Sequence, residues 1–578
     1  VLEAREDALI AAADAIRQGR ILALKGLGGF QLIADARRSN VVAELRRRKH
    51  REEKPLAIMV PSVAAADALC APDRNAIRVL CSPQAPIVLA PRRSDAHPQL
   101  AENVAPRSPR LGVMLPYTPL HHLLMRELGF PVVATSGNRS DEPICIDSAE
   151  ALRRLEGIAD LFLTHNRPIV RHVDDSVVQI VCDEPVVLRR ARGFAPAPVE
   201  ATTAREPVLA VGAHQKNTVA LAAHGNIFLS QHVGDLTTSQ AADAFEQAAR
   251  DLPALYEAPP RIVVCDLHPD YYSSRRAAEW SAQPQRVQHH HAHIAACLAE
   301  HRRNELALGV AWDGAGLGLD GTIWGGEFLR GDLCAFERAA HLDCFPLPGG
   351  ELAAREPRRS ALGVLFATFG EAIFEHDDWP PIAAFRVPER RVLRAALRRD
   401  VNCPLTSAAG RLFDAVASML DIRQRVRYEG QAAMELEYAA AESDDEDAYP
   451  FELPPSQPQR IDWRPLIRAL LADRERGAPR GVIARRFHNT LVDVIAAIAQ
   501  RFGETTVVLS GGCFQNTLLL SSAIERLKRL GREPLWPRRI PPNDGGVALG
   551  QAVVACIRSG GPCDHVFGRA RKDHQRSG

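Results

Sequence analysis

One arrangement occurs twice in this chain, and it limits the possible folds more than anything else in the sequence. Residues 208–211 read as a strand, Gly212-Ala213-His214-Gln215-Lys216-Asn217 as a polar turn, and 218–222 and 227–230 as two further strands. The same order returns in a strand at 306–312, the turn Asp313-Gly314-Ala315-Gly316-Leu317-Gly318, and strands at 321–327 and 328–333. Short apolar runs bounded by Gly and Asn are strand signals. A unit of strand, polar glycine turn and strand that recurs once predicts a duplicated domain of two lobes with a cleft between them.

The stretch that bears most directly on chemistry lies between the two copies: Gln288-His289-His290-His291-Ala292-His293-Ile294-Ala295-Ala296-Cys297-Leu298. A helix starting near Gln288 sets His289 and His293 on one face, with Cβ atoms about 6 Å apart. Imidazoles so spaced can grip one metal ion. No glutamate stands between them to act as a base, which speaks against a zinc protease. The alternative is a polar helix start whose rings cap backbone groups; four imidazoles together favour the metal. Asp544, in Pro541-Pro542-Asn543-Asp544-Gly545-Gly546 before a last helix at 547–557, either caps that helix or adds a carboxylate from the adjoining lobe. Asp313 is a second candidate, in a glycine turn that lets its side chain project. Two imidazoles, one or two carboxylates and water make a sound catalytic design, suited to iron or zinc.

With 578 residues the chain exceeds one core, and about two to four domains are expected. A net charge of +1 argues against a protein built for nucleic acid or an anionic membrane. No apolar run approaches the roughly 18–20 residues of a spanning helix, and no secretory signal opens the chain. Val1 in place of Met fits a piece of something longer. The twelve cysteines form no C-x-x-C pair and no disulfide framework, which predicts reduced thiols and a cytoplasmic location.

The first two hundred residues alternate helix and strand. Residues 6–18 have helical periodicity ending at Gly19, followed by strand 21–24, helix 39–48, strands 56–60 and 87–89, helix 120–128 and strand 132–135. In such an α/β organisation the site lies on loops at strand ends. Lys25-Gly26-Leu27-Gly28-Gly29-Phe30 offers backbone N–H groups beside a cation. Arg46-Arg47-Arg48-Lys49-His50-Arg51-Glu52-Glu53-Lys54-Pro55-Leu56 is a dense cationic run, ordinarily a solvated helix face or a nucleic-acid patch. Thr135-Ser136-Gly137-Asn138 adds hydroxyl and amide donors. Together the three loops describe a pocket for phosphates and a small carboxylate-like group.

Here the chain resembles the YrdC-like fold, which makes carbamoyl-type adenylates from ATP. Lys49-x-Arg51 with Lys54-Pro55-Leu56, then Ser136-x-Asn138, look like its K-x-R and S-x-N signature. Asp174-Asp175-Ser176-Val177-Val178 and Leu188-Arg189-Arg190-Ala191-Arg192-Gly193-Phe194 resemble its later strands and arginine turn. The resemblance implies that Lys25, Lys49, Arg51, Lys54, Ser136, Asn138 and Arg192 bind the adenylate and its carbamoyl group.

Residues 196–198 and 202–207 read as a polar, Pro-containing linker. Within the second lobe, 349–358 is a loop signal, and 407–420, 431–441, 462–471 and 482–500 read as inserted helices; Ser443-Asp444-Asp445-Glu446-Asp447 is a solvated acidic loop. A strand at 506–509 ends in Ser510-Gly511-Gly512-Cys513-Phe514-Gln515-Asn516, which opens a helix at 517–529. A Gly pair at that junction is a good phosphate cradle. Cys513 has no base partner nearby in sequence and reads as packing.

Seven segments then fall in the order of one family: 208–219, Gln231-His232-Val233-Gly234-Asp235-Leu236-Thr237-Thr238, 288–293, Ala311-Trp312-Asp313-Gly314, Gly410-Arg411-Leu412-Phe413-Asp414-Ala415, Tyr428-Glu429-Gly430-Gln431-Ala432 and 510–516. They look like HypF, the carbamoyltransferases that mature NiFe hydrogenases. The C-terminal domain of that family is similar to the tRNA threonylcarbamoyltransferase subunit and has the two-lobed actin/Hsp70-like (ASKHA) fold. The resemblance implies an α/β chain with a YrdC-like domain at 5–200, a two-lobed carbamoyltransferase domain with helical insertions at 207–560 and a tail at 561–578. Carbamate derived from carbamoyl phosphate would react with ATP to give carbamoyl-adenylate, which moves internally to the second domain. There the C-terminal Cys thiol of the partner HypE is carbamoylated, on the way to the cyanide ligand of iron. By position, His289, His293, Asp544 and Asp313 are the catalytic metal ligands, and Lys216, Asn217, Asp414, Gly511, Gly512 and Asn516 hold nucleotide. ATP, Mg2+ and iron or zinc are the implied cofactors, HypE the implied partner, with neither nucleic acid nor membrane. The acylphosphatase-like domain and two-site zinc module that normally open the family are not in this sequence.

Two related activities compete. Small-molecule O-carbamoyltransferases join the same folds in the reverse order. A tRNA threonylcarbamoylation enzyme could touch RNA through residues 46–54, but the charge balance is poor for it.

Overall fold

The apolar runs of the first 190 residues pair into one nine-stranded mixed sheet. In the computed structural model, which describes residues 2–97, 99–140, 142–200 and 206–560, that sheet begins at the edge strand Leu161–Leu163. It passes through Leu22–Lys25, Phe30–Asp35, Val132–Ser136, Ile58–Met59, Arg110–Met114, Ile87–Pro91 and Val177–Val181 to Glu184–Arg189. Its inner strands are buried, and helices such as Arg5–Arg17, Ser39–Lys49 and Pro119–Leu128 cover it. Helix Ser39–Lys49 ends in four consecutive cations, which suits the negative end of its dipole and delivers Lys49 to the carboxyl-end turn of Val132–Ser136.

The two repeats build two sheets of the same plan. In the first, Asn226–Leu229, Ala220–Ala223, Val208–Ala210, Ile262–Asp266 and Gln285–Val287 lie side by side. In the second, Phe336–Leu342, Ile323–Gly331, Ala307–Leu317, Thr506–Ser510 and Glu533–Leu535 do the same. Each sheet is an antiparallel meander of its first three strands, with its fourth and fifth strands added in parallel beside the first. A shared order of that length is a duplication. The helices Pro357–Phe369, Val387–Arg399, Ala409–Met419, Gln431–Ala440, Arg464–Glu475 and Arg480–Phe502 are inserted between the third and fourth strands of the second lobe.

The helix that follows each sheet packs against the other sheet. Helix His289–Glu300 lies on Ala307–Leu317 and Thr506–Ser510, while Val547–Ser559 lies on the strands of the first lobe. The two helices cross where Gly550 meets Ala292: a Cβ at 550 would stand 1.8 Å from the Ala292 carbonyl oxygen. From His289 to Ala299 every residue of the first helix is buried, as expected of a helix packed on all sides.

Several expectations need correction. The glycine run at 313–318 is not a turn. Ala307–Leu317 is one continuous strand with a bulge between Trp312 and Gly316, and the reversal comes after it, where Gly318 N donates to Thr322 O at 2.9 Å. The glycines serve close approach instead: a Cβ on Gly316 would lie 2.5 Å from His290 Cε1 and 3.3 Å from His289 Cβ. The two strands expected at 321–333 are one, Ile323–Gly331. Within the expected linker, Pro198–Glu200 is an edge strand paired with Asn226–Leu229 of the first lobe's sheet; 202–205, like the tail at 561–578, fall outside the described residues. The loop signal at 349–358 covers the start of helix Pro357–Phe369.

Candidate active site

His289 is the first residue of its helix, whose start Gln288 caps by accepting from His291 N at 2.9 Å. The 3.6-residue period then separates the four imidazoles. His289 and His293 point to the cleft, with ring centroids 4.9 Å apart. His290 turns to Gln288 and His291 to the Asp332 carbonyl oxygen at 2.8 Å. Asp313, on the bulge after Trp312, puts Oδ2 3.0 Å from His293 Nε2 and 3.6 Å from His289 Nε2. Asp544, in the turn before helix Val547–Ser559, puts Oδ1 3.6 Å from His289 Nε2. One ligand atom from each of the four lies within 4.8 Å of the others.

Three of the four are buried, and their electrostatics call for a cation. Burial works against a charged His289, but Asp266 and Asp544 outweigh it and hold the ring well above the ordinary histidine value. Burial likewise opposes a charged Asp313, yet the neighbouring His289 and the hydrogen bond from His293 keep its carboxyl well below the usual range. His289 Nε2 is buried with no hydrogen-bond partner although it faces two carboxylates. An orphaned ring nitrogen amid carboxylate oxygens fits a divalent metal.

In the first domain, Lys49 Nζ donates to Asn138 Oδ1 at 2.6 Å, to Asn138 O at 3.1 Å and to Ser136 O, while Ser136 Oγ donates to Asn138 Oδ1 at 2.7 Å. Gly137 is required in that turn, since a Cβ would lie 2.7 Å from Phe30 O. Arg51 reaches Thr135 Oγ1 at 3.4 Å and Pro55 O at 2.7 Å. Burial, then Arg51, pushes the Lys49 ammonium well down. Burial and the neighbouring Arg189 and Arg46 lower Arg51 to about 10. Not all of the cationic run belongs here. Arg46 clamps five backbone carbonyls, among them those of Asn103, Arg51 and Val104, and Arg47 and Arg48 pair with Glu44.

The two regions approach one another across the domain boundary. Burial and the charges of Arg51, Arg189 and Lys216 lower Lys54 to about 8. Burial, Arg189, Lys216, His172 and Lys54 hold the His232 imidazole well below its ordinary value. On the far side, Glu429 and Asp544 outweigh burial and keep Lys216 protonated. Lys54 and Arg189 come from the first domain, Lys216 and His232 from the second, so side chains of the two domains feel one another's charge across the boundary. The seam is held by Arg423, which bonds Glu53 across it and Glu435 at 2.7 Å, and by Arg110–Glu437 at 3.0 Å.

The remaining expected residues are differently placed. Lys25 is held by Ser148 Oγ and His165 O, both at 3.3 Å. Arg192 pairs with Asp175 at 3.0 Å, donates to the Gln84 and Ala85 carbonyls and covers the Tyr117 ring. The Asn217 amide is spent inside its own turn, on the Val211 and Ala213 carbonyls. Asn516 caps helix Thr517–Arg529 and meets His488. Gly511 N donates to Pro542 O, and a Cβ on Gly512 would lie 2.8 Å from Asp313 Oδ1, so this turn abuts the four-residue group. Asp414 stands 2.9 Å from Arg411, its carboxyl raised to about 6 by burial. Sequence reasoning missed Asp266, the buried partner of His289 Nδ1 at 2.8 Å. The available signal was an acid at the end of an apolar strand, Ile262–Asp266.

Residues 309–551 match the family described as carbamoyltransferase, Kae1-like domain, second subdomain; 203–300 match the HypF Kae1-like domain, and 14–191 the Sua5, YciO and YrdC family described as telomere recombination. Carbamoyltransferase HypF of Synechocystis is 45% identical over 569 residues, 96% of this chain and 74% of that protein. HypF of Rhodobacter capsulatus is 42% identical over 96% of this chain and 73% of its own. The crystal structure of full-length HypF in its phosphate- and nucleotide-bound form has 40% identity and a TM-score of 0.92, over 97% of this chain and 73% of that one. The crystal structure of T. kodakarensis HypF has 31% identity and a TM-score of 0.89, over 96% and 74%.

Proposed function

Because the chain belongs to the HypF family of carbamoyltransferases, we propose that it joins carbamate to ATP in its first domain and transfers the carbamoyl group in its second. The acceptor is the C-terminal cysteine thiol of HypE, and the product serves the cyanide ligands of NiFe hydrogenases. Carbamate, derived from carbamoyl phosphate, attacks the α-phosphorus of Mg2+-bound ATP; its oxygen bonds to phosphorus and pyrophosphate leaves. Lys49, Arg51 and Lys54 hold the anions together against their mutual repulsion, while Ser136 and Asn138 fix the Lys49 ammonium. The resulting carbamoyl-adenylate is a mixed anhydride that water destroys. The observation that carries the reading is the group His289, His293, Asp313 and Asp544, whose ligand atoms lie within 4.8 Å of one another, in a chain whose first domain gathers Lys49, Ser136 and Asn138 in one hydrogen-bonded turn. The charges of Lys54 and Lys216 reach one another across the domain boundary, which supports a short path for the adenylate between the sites.

In the second domain Lys216 and the turn at 511–516 receive the AMP portion, and the thiolate attacks the carbamoyl carbon. A carbon–sulfur bond forms, the carbon–oxygen bond to phosphate breaks, and AMP leaves. His289, His293, Asp313 and Asp544 hold the iron or zinc ion, which supplies Lewis-acid polarisation when bound.

The test follows labelled pyrophosphate into ATP in the presence of carbamoyl phosphate, or of ammonium bicarbonate as a direct source of carbamate, and then adds HypE. Exchange that needs a carbamate source, followed by a gain of one carbamoyl group on the terminal cysteine, is expected. Exchange indifferent to carbamate, or HypE left unmodified, overturns the reading.

A further inference from the structure

We propose that Asp266 is the positioning residue of the metal centre, acting through His289 without being a ligand. This rests on the reading of His289, His293, Asp313 and Asp544 as that centre. Asp266 ends a strand paired in parallel on both sides, with Val208–Ala210 and with Gln285–Val287, and its side chain is fully buried. Both oxygens are engaged: Oδ1 accepts from His268 N at 2.9 Å and Oδ2 from His289 Nδ1 at 2.8 Å. The carboxylate is fixed from behind. Leu267 N donates to Val287 O at 3.0 Å, and Ser274 Oγ donates to Asp266 O at 3.4 Å.

The geometry decides which nitrogen can ligate. A carboxylate only accepts, so Nδ1 of His289 carries a proton and only Nε2 can turn a lone pair to a metal. Nε2 faces Asp313 Oδ2 and Asp544 Oδ1, each 3.6 Å away, with no hydrogen-bond partner of its own. A ring nitrogen and two carboxylate oxygens are thereby aimed at one point, a donor set that suits a divalent cation. The bond to Asp266 also makes the ring a stronger donor and fixes its plane, as outer carboxylates do for metal-bound histidines elsewhere. Among the described residues His293 has no such partner on its far nitrogen, so the two ligands differ: His289 is pre-set, and His293 is placed by its helix and Asp313.

The test titrates metal-free full-length chain with Co2+, following its visible absorption, and with Zn2+ in competition with a chelator. D266N keeps the shape of the side chain; its affinity is expected to fall by about 10- to 100-fold, with a changed cobalt spectrum and an unchanged melting temperature without metal. In an H289A background the same substitution should cost nothing further, because Asp266 works only through that ring. If D266N does not fold, D266S, with room for a water against Nδ1, is measured in its place. Wild-type affinity and spectrum in the variant, or equal losses in both backgrounds, overturn the proposal alone. A wild-type chain that takes up no ion at these residues overturns the reading beneath it as well.

Discussion

The two reactive regions are chemical opposites. The first gathers Lys49, Arg51, Lys54 and Arg189, where burial first and then the repulsion of neighbouring cations lower Lys54 to about 8. The second gathers Asp313 and Asp544 beside two imidazoles, with no lysine or arginine among the four. Each is a folded arrangement that like charges would push apart, held by the surrounding packing, and each is completed by a ligand of the opposite sign. The cationic end is made for phosphates and a carboxylate, the anionic end for a metal ion. Repulsion retained in a buried site marks where binding energy is to be delivered.

The comparison breaks most visibly if the two regions prove to be one function. In H289A/H293A, metal content should drop from one ion per chain to near none, and carbamoyl transfer by more than about 100-fold. Pyrophosphate exchange should stay within about twofold of wild type; its loss would merge the regions. The mirror variant K49A should lose exchange by about 100-fold and keep its metal, as elemental analysis will report. Opening the seam sharpens the comparison from the middle. R110A/R423A removes the bonds to Glu437 and Glu53, and ATP consumed per HypE modified should rise about threefold as the adenylate meets water. An unchanged ratio would mean that the seam is not what encloses it.

The smallest effect is one of pH. Anions bind the protonated Lys54, so pyrophosphate affinity should fall about three- to tenfold as pH rises through about 8, and K54Q should flatten that dependence. The sign for stability is the reverse. The folded value lies below the ordinary one, so above about pH 8 the unfolded chain retains a proton that the folded chain has shed, and stability from this group rises with pH up to the ordinary lysine value. K54Q should therefore raise the melting temperature near pH 7, by no more than about 2 °C.

What could be read in advance was what local spacing determines. The i, i+4 pair of imidazoles, the strand order repeated in the two lobes and the K-x-R and S-x-N turns all depend on neighbours within a few residues. Partnerships across the fold stayed hidden. Asp266 meets His289 only because Ile262–Asp266 and Gln285–Val287 lie parallel with Asp266 opposite Val287. The glycines at 314 and 316 carry the sequence mark of a turn but sit in a bulged strand, since the approach of His290 excludes a side chain at 316. Asn217 and Asn516 read as ligand donors because a free amide and one committed to a turn or a cap look alike in sequence. Pro198–Glu200 reads as linker because an edge strand needs no alternation of its own when a neighbouring sheet supplies its partner.

The exchanged helices have a mechanical consequence. Helix His289–Glu300 and helix Val547–Ser559 each sit on the opposite sheet and touch at Gly550, so the lobes are laced together at the floor of the cleft. Prising them apart would strip both helices from their seats. Any opening of the cleft must then come from its rim, with the floor as the rivet.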